Sequence, residues 1–190
     1  MGGRYPRPVS PSDGPGGVSH VSVRPATPAD AEQIRALYNH EVLHTVATFD
    51  LVPRSLEEQQ RWQADRSGAF AVLVAVDPTD PEGDVVGFGA LSPYKERAAY
   101  RTSVEDSVYV RRDRHGQGIG SLILSTLLET AESSGFHAVF ARINASGEGS
   151  IALHRRHGFE LVGIEREVGR KFNRWHDVAL MQLLFEPSVA

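Results

Sequence analysis

Apolar residues along the chain keep two rhythms, and the switches between them mark out the elements. A short strand, VSVRP (21–25), is followed by Thr27 and Pro28, a cap with proline at the first helical position, and by a helix running to about His44. On a helical wheel Ile34, Leu37, Tyr38 and Val42 form its buried stripe, and Glu41 lies inside that stripe. Ser55 and Glu58 have capping-box spacing and open a second helix ending near Gly68. FAVLVAV (70–76) and VVGFGALS (85–92) are strands joined through the turn-rich DPTDPEGD, and TSVEDSVYV (102–110) is a third. From Ile119 the period is helical through Leu122, Ile123, Leu127 and Ala131, with Gly135 placed to stop the helix. HAVFARI is strand, SIALHRRHG a short helix closed by Gly158, and FELVGIEREV with HDVALMQLLF a closing pair of strands. The order predicts a layered α/β or α+β domain with a mixed sheet and no internal repeat.

Composition narrows the class. At 190 residues, 41% hydrophobic and 23% charged, the chain can bury the core of one domain. The first twenty residues hold five glycines and four prolines and little to bury, which predicts a flexible tail over 1–20 and a folded domain over 21–187. A net charge of −4 argues against capture of nucleic acid by bulk electrostatics, so any bound anion must meet a local device. The chain has no cysteine, which excludes disulfides, thiolate catalysis and cysteine-ligated zinc, and fits the cytoplasm. The longest apolar run, AFAVLVAV (69–76), is too short to span a bilayer, and the N-terminus has no apolar signal core; neither membrane insertion nor secretion is expected.

One such local device is visible. HGQGIG (115–120) lies between a predicted strand and a predicted helix, where amides left unpaired at a helix N-terminus face an anion. Gly116, Gly118 and Gly120 let backbone approach without a Cβ in the way, and Arg111, Arg112 and Arg114 stand just upstream, able to pair with phosphates. A tight turn with no ligand has the same pattern. The spacing fits neither a Walker nor a Rossmann phosphate site.

A strand ending VYV, a basic glycine-rich turn and then an amphipathic helix resemble the coenzyme A pyrophosphate motif of the GNAT acetyltransferase superfamily. In more detail YNHEV, ATFD, SPYKERAAY, SVEDSVYV, IALHRRHGF and RWHDVALMQ, in this order from about Val21 to Phe185, resemble the phosphinothricin acetyltransferase family of amino-acid N-acetyltransferases. The resemblance implies a mixed, mostly antiparallel sheet flanked by helices, acetyl-CoA as co-substrate, a small amine acceptor such as phosphinothricin, methionine sulfoximine or methionine sulfone, and a homodimer. It implies that Glu105 takes the proton from the acceptor amine through water. Main-chain groups of Val108 and Val110 would pair with the pantetheine arm as an added strand, and the amides of Gly116, Gly118, Gly120 and Ser121 would hold the pyrophosphate.

Further roles follow from the same resemblance. His154 falls where many superfamily members carry the tyrosine that protonates the leaving thiolate, and His176 matches a family histidine near the substrate amine. Phe49 resembles a pocket-lining aromatic. Arg97 and Tyr100, with Lys95 nearby, are candidates for the acceptor's carboxylate, a group arginine grips by two parallel bonds. Two positions depart from the family pattern: His115 stands where arginine or glutamine is usual, and Gly147 where asparagine commonly meets the pantetheine, leaving Ser150 as a polar contact.

HEVLH (40–44) offers another reading, since two histidines one helical turn apart with a glutamate between them are the core of a zinc-peptidase site. Ala47 and Asp50 occupy the positions of the glycine and third histidine in the extended motif, so no metal site is expected. A non-catalytic acyl-CoA sensor is the remaining alternative; it would keep the glycine turn and have no need of Glu105.

Overall fold

The computed structural model describes residues 20–66, 68–81 and 84–186. The tail expected over 1–20 lies, except for His20, outside the described residues, as does the last residue of the expected domain. The elements in chain order are β1 (Ser22–Pro25), α1 (Ala31–His44), α2 (Leu56–Ala64), β2 (Val72–Val76), β3 (Val85–Pro93), β4 (Ser103–Val110), α3 (Ile119–Ser133), β5 (Ala138–Asn144), α4 (Glu148–Arg156), β6 (Glu160–Lys171) and β7 (Arg174–Leu184). This is the predicted order. Helix α2 stops short of Gly68: the Arg66 guanidinium turns back to the carbonyl of Trp62 at 2.9 Å, satisfying the helix end before the glycine is reached. At its start the predicted capping box is present, with Ser55 and Glu58 exchanging hydrogen bonds of 3.1 and 2.7 Å.

Seven strands form one sheet in the order β1-β2-β3-β4-β5-β7-β6, antiparallel at every pairing except β4 with β5. Alternation of side chains gives the sheet two packed faces. On one, Leu73, Val86, Leu91, Val104 and Val139 meet Ile119, Ile123, Leu124 and Leu127 of α3. On the other, Val72, Val74, Phe88 and Ala90 meet Ile34, Leu37, Tyr38 and Val42 of α1, the stripe read from the sequence. Helix α3 lies close because β3 lacks side chains beneath it: a Cβ on Gly89 would stand 2.6 Å from Ile123 Cγ2 and 2.8 Å from Leu127 Cδ1.

The parallel pair is short. Only Ser103, Val104 and Glu105 of β4 face partners on β5, namely Ala138, Val139 and Phe140. Beyond Glu105 the two strands part, so Asp106–Val110 keep their β3 partners on one side and, among the described residues, have no strand on the other. The sheet is open there, next to the turn that leads into α3.

Candidate active site

The glycine turn leaves β4 through a 3-10 turn, Arg112–Arg114, and enters α3 with Gly118 as its N-cap at φ +83°, a left-handed conformation natural to glycine. The first bond of the helix runs from the Leu122 amide to the Gly118 carbonyl, 3.0 Å, so the amides of Ile119, Gly120 and Ser121 have no partner inside it. Gly120 sits against Leu153 of α4, where a Cβ would come within 3.3 Å of Cδ2. Bare amides, a helix N-terminus and a nearby strand edge without a partner fit a diphosphate with an extended arm running along β4.

The arginines upstream are engaged inside the protein. Arg111 pairs with Asp80 and, at 2.8 Å, with Asp113; Arg114 reaches Asp77 at 2.6 Å and Asp80 at 2.5 Å; Arg112 reaches Glu41 at 3.2 Å. The β2–β3 connection thus clamps the turn, and hydrogen bonds from Thr79 and then Arg114 hold the Asp77 carboxyl at about 2. His115 donates from Nε2 to the Val110 carbonyl at 2.9 Å, and Ser121 Oγ meets His157 Nε2 at 2.8 Å.

Glu105 stands where β4 leaves β5. It faces the α1–α2 side with Ser107 and Tyr109, on the wall of a cavity of about 180 Å³ also lined by Tyr38, Arg54, Trp62, Arg66 and Ser92. No described residue hydrogen-bonds its half-buried carboxylate. Burial pushes its pKa up; Arg142 pulls the other way, while Asp106 and Glu165 add to the rise.

Asp106, the next residue, points to the opposite face and is buried against α4. Its Oδ2 lies 3.0 Å from His154 Nε2, and His154 Nδ1 donates to the Ser150 carbonyl at 2.8 Å. Both imidazole nitrogens therefore face acceptors, an arrangement that suits the cation. Burial opposes that charge, but the bonds to Asp106 and Ser150 outweigh it and leave the His154 pKa raised. Asp106 Oδ1 is buried with no hydrogen-bond partner.

The other sequence candidates are dispersed. Phe49 and His176 meet each other, ring centroids 6.0 Å apart, with His176 Nε2 donating to the Lys171 carbonyl at 3.1 Å. They lie by the β6–β7 turn, which is anchored to the α1–α2 loop by Lys171 Nζ on the Thr48 carbonyl at 2.7 Å; neither lines the Glu105 cavity. Arg97 and Tyr100 are exposed in the β3–β4 connection, Tyr100 against Tyr94, and they too lie off that cavity. In HEVLH, His40 and His44 face outward, while Glu41 is buried and bound to Thr45 at 2.7 Å and to Arg112. Its carboxylate holds the phosphate turn, and no third acidic or histidine ligand groups with the pair among the described residues.

Sequence reasoning missed Asp106, Arg54 and Arg66. The signal for Asp106 was its register: it alternates with Val104, Val108 and Val110, so an acid was placed in an apolar row where it needed a partner. Arg54 and Arg66 flank a helix whose folding back over the sheet no local pattern reveals.

A glycine-cradled helix N-terminus beside a parted pair of strands, with a carboxylate at the fork, defines a protein that binds a coenzyme diphosphate and works on its acyl end. Residues 23–180 match the acetyltransferase (GNAT) domain family, and the chain belongs to that family. It is 41% identical over 165 residues to the phosphinothricin N-acetyltransferase of Streptomyces coelicolor, covering 86% of this chain and 95% of the relative. It is 39% identical over 169 residues to the L-methionine sulfoximine/L-methionine sulfone acetyltransferase of Pseudomonas aeruginosa, covering 88% and 96%. The phosphinothricin acetyltransferase of Sinorhizobium meliloti, solved in complex with acetyl-CoA, superposes with a TM-score of 0.83 at 36% identity, covering 90% of this chain and 91% of that one. The chain is thus an acetyl-CoA-dependent N-acetyltransferase, and neither the sensor nor the peptidase alternative is favoured.

Proposed function

We propose that the chain acetylates the amine of a small amino acid or analogue, of the phosphinothricin, methionine sulfoximine or methionine sulfone type, by direct attack in a ternary complex with acetyl-CoA. The observation that carries this is Glu105: a half-buried carboxylate with a raised pKa and no described hydrogen-bond partner, at the fork where β4 and β5 separate. An amine is mostly protonated at neutral pH, and a carboxylate whose pKa is raised is a better match for removing that proton. Glu105 takes the ammonium proton through water and releases it to solvent; the neutral amine then attacks the thioester carbonyl, the C–N bond forms, the C–S bond breaks, and the second amine proton leaves by the same water path as the thiolate is protonated.

The amides of Gly116, Gly118, Gly120 and Ser121 hold the diphosphate, the edge at Val108 and Val110, where His115 occupies the Val110 carbonyl, takes the pantetheine arm, and Ser150 is a further polar contact. His154 supplies the proton to the departing thiolate once its bond to Asp106 or Ser150 opens, with His176, beside Phe49 and off the Glu105 cavity, as the second candidate histidine. Phe49, Arg97 and Tyr100 lie off the Glu105 cavity and touch only an acceptor that extends beyond it. The protein works as a homodimer: edge strand β6, the adjoining turn and the start of β7 expose Leu161, Val162, Ile164, Val168, Phe172 and Trp175, apolar side chains set among Glu160, Arg166, Glu167 and Arg170 on a strand with one side unpaired among the described residues. A chain without cysteine that uses a coenzyme thioester supports a cytoplasmic location.

The test is free-thiol release from acetyl-CoA against a panel of amino acids and analogues, polyamines, aminoglycosides and peptide N-termini. The expected result is turnover confined to amino-acid acceptors, with Glu105→Gln lowering kcat by ~10²- to 10⁴-fold and leaving coenzyme affinity unchanged by calorimetry. Unchanged turnover in that variant removes Glu105 as the base.

A further inference from the structure

The cavity at Glu105 has a cationic wall that the roles above leave unused. Arg66 Nη2 reaches Ser92 Oγ at 3.3 Å, and Ser92 is the residue opposite Glu105 in the β3–β4 register. Directly paired side chains on neighbouring strands stand about 5 Å apart at Cβ, so this guanidinium lies one side chain from the proposed base. It is stacked 4.2 Å over Trp62, which holds its plane in place, and its Nε is buried with no hydrogen-bond partner. No carboxylate among the described residues forms an ion pair with it. Arg54 stacks at 3.9 Å over Tyr38 and 5.0 Å over Trp62, touches Gln59 Oε1 at 3.3 Å, and has one carboxylate, that of half-exposed Asp50, at 3.5 Å. Two guanidinium groups thus bracket one indole at the edge of a site whose acid is only half buried. Burial and then Arg54 depress the Arg66 pKa, the cost of keeping a cation there without an anion.

Resting on the N-acetyltransferase reading, we infer that Arg66, with Arg54 beside it, recognises an oxyanion carried by the acceptor amine. The site selects acceptors that bear a carboxylate or a group of like geometry, within the reach that a cavity of about 180 Å³ sets. An incoming oxyanion supplies the anion Arg66 lacks, taking the N–H groups left over by the bonds from Nη1 to the Trp62 carbonyl and from Nη2 to Ser92 Oγ. The amine of the same small molecule is then held at Glu105. A neutral amine of equal size leaves a half-buried guanidinium without an anion and is disfavoured.

The experiment uses the full chain with acetyl-CoA and three pairs of acceptors: an α-amino acid and its α-carboxamide, an acidic amino acid and its side-chain amide, and the decarboxylated amine with its parent. Arg66→Met and Arg66→Lys are compared with Arg61→Met on the exposed side of α2, with melting and acetyl-CoA titration reporting on folding. The expected result for Arg66→Met is a KM for acidic acceptors raised by about 10- to 100-fold, the worth of a hydrogen bond to a charged group. KM for acetyl-CoA stays unchanged, the preference for acid over amide collapses, and the lysine variant recovers part of it. The pair in which discrimination collapses tells whether the α-carboxylate or a side-chain acid is the group held. If Arg66 serves only to cap α2 through the Trp62 carbonyl, the melting point falls while the acid-to-amide ratio stays at the wild-type value, and the inference is overturned. Turnover with no acid preference in the wild type overturns it too, whereas no turnover with any amine overturns the enzyme reading and this inference with it.

Discussion

Glu105 and Asp106 are adjacent in sequence and opposite in setting, because successive side chains of a strand leave by opposite faces. Glu105 must be ionised to accept a proton, and burial raises its pKa, so the acid limb of kcat/KM should fall with a midpoint above the ordinary glutamate value of 4.5. A pH profile of thiol release measures it, and a midpoint at or below 4.5 contradicts the assignment. His154 works in the other direction. Its folded pKa is raised above 6.5, so its contribution to stability is complete below 6.5 and is lost as pH rises through the folded value. Urea denaturation should therefore show stability declining on that side of 6.5 in the wild type, with the slope abolished in Asp106→Asn. Asp106→Ala, which leaves a buried imidazolium without its counterion, should cost about 3–5 kcal/mol.

At the scale of elements, α3 carries the phosphate turn, and its height above the sheet is set by Gly87 and Gly89 of β3. Gly89→Ala brings a methyl against Ile123 and Leu127 and should cost about 1–3 kcal/mol, read as a lower melting temperature, with weaker acetyl-CoA binding because α3 is displaced with its N-terminus. The elements themselves were legible in the sequence because each is written in short-range terms: a capping box at Ser55, a stripe at Ile34, Leu37, Tyr38 and Val42, a stop glycine at 135. Glycine and helix at 116–121 could be read as an anion cradle for the same reason. The Asp77, Asp80 and Glu41 partners of its arginines could not, since they reside on other elements and depend on how β2, β3 and α1 close around the turn. Asp106 with His154, 48 positions apart, was hidden in the same way.

For the whole molecule, the sheet ends in two edge strands, β1 and β6. Strand β1 is short, four residues, and offers little to a partner; β6 is twelve residues long and exposes Leu161, Val162, Ile164 and Val168 among charged residues. If β6, the turn at Phe172 and the start of β7 at Trp175 form the two-fold contact, Val162→Glu with Trp175→Glu should convert the protein to a monomer in sedimentation, and a wild-type monomer at micromolar concentration rules the contact out. The acceptor loops illustrate what a fold can and cannot announce. Resemblance pointed to Arg97 and Tyr100, yet the cavity beside Glu105 is walled by Arg54 and Arg66, residues on either side of α2 that come together only when that helix lies across the sheet.

The clamp around the phosphate turn has a consequence for how the enzyme should respond to its medium. Arg111, Arg112 and Arg114 are matched by Asp77, Asp80, Asp113 and Glu41, so the turn presents little free positive charge to attract a polyanion from a distance. Attraction rests on amide dipoles fixed at contact range, well inside a Debye length of roughly 8 Å at physiological ionic strength. The Michaelis constant for acetyl-CoA should then stay nearly flat as potassium chloride is raised, and replacing Asp80 with asparagine should create a salt dependence where there was none.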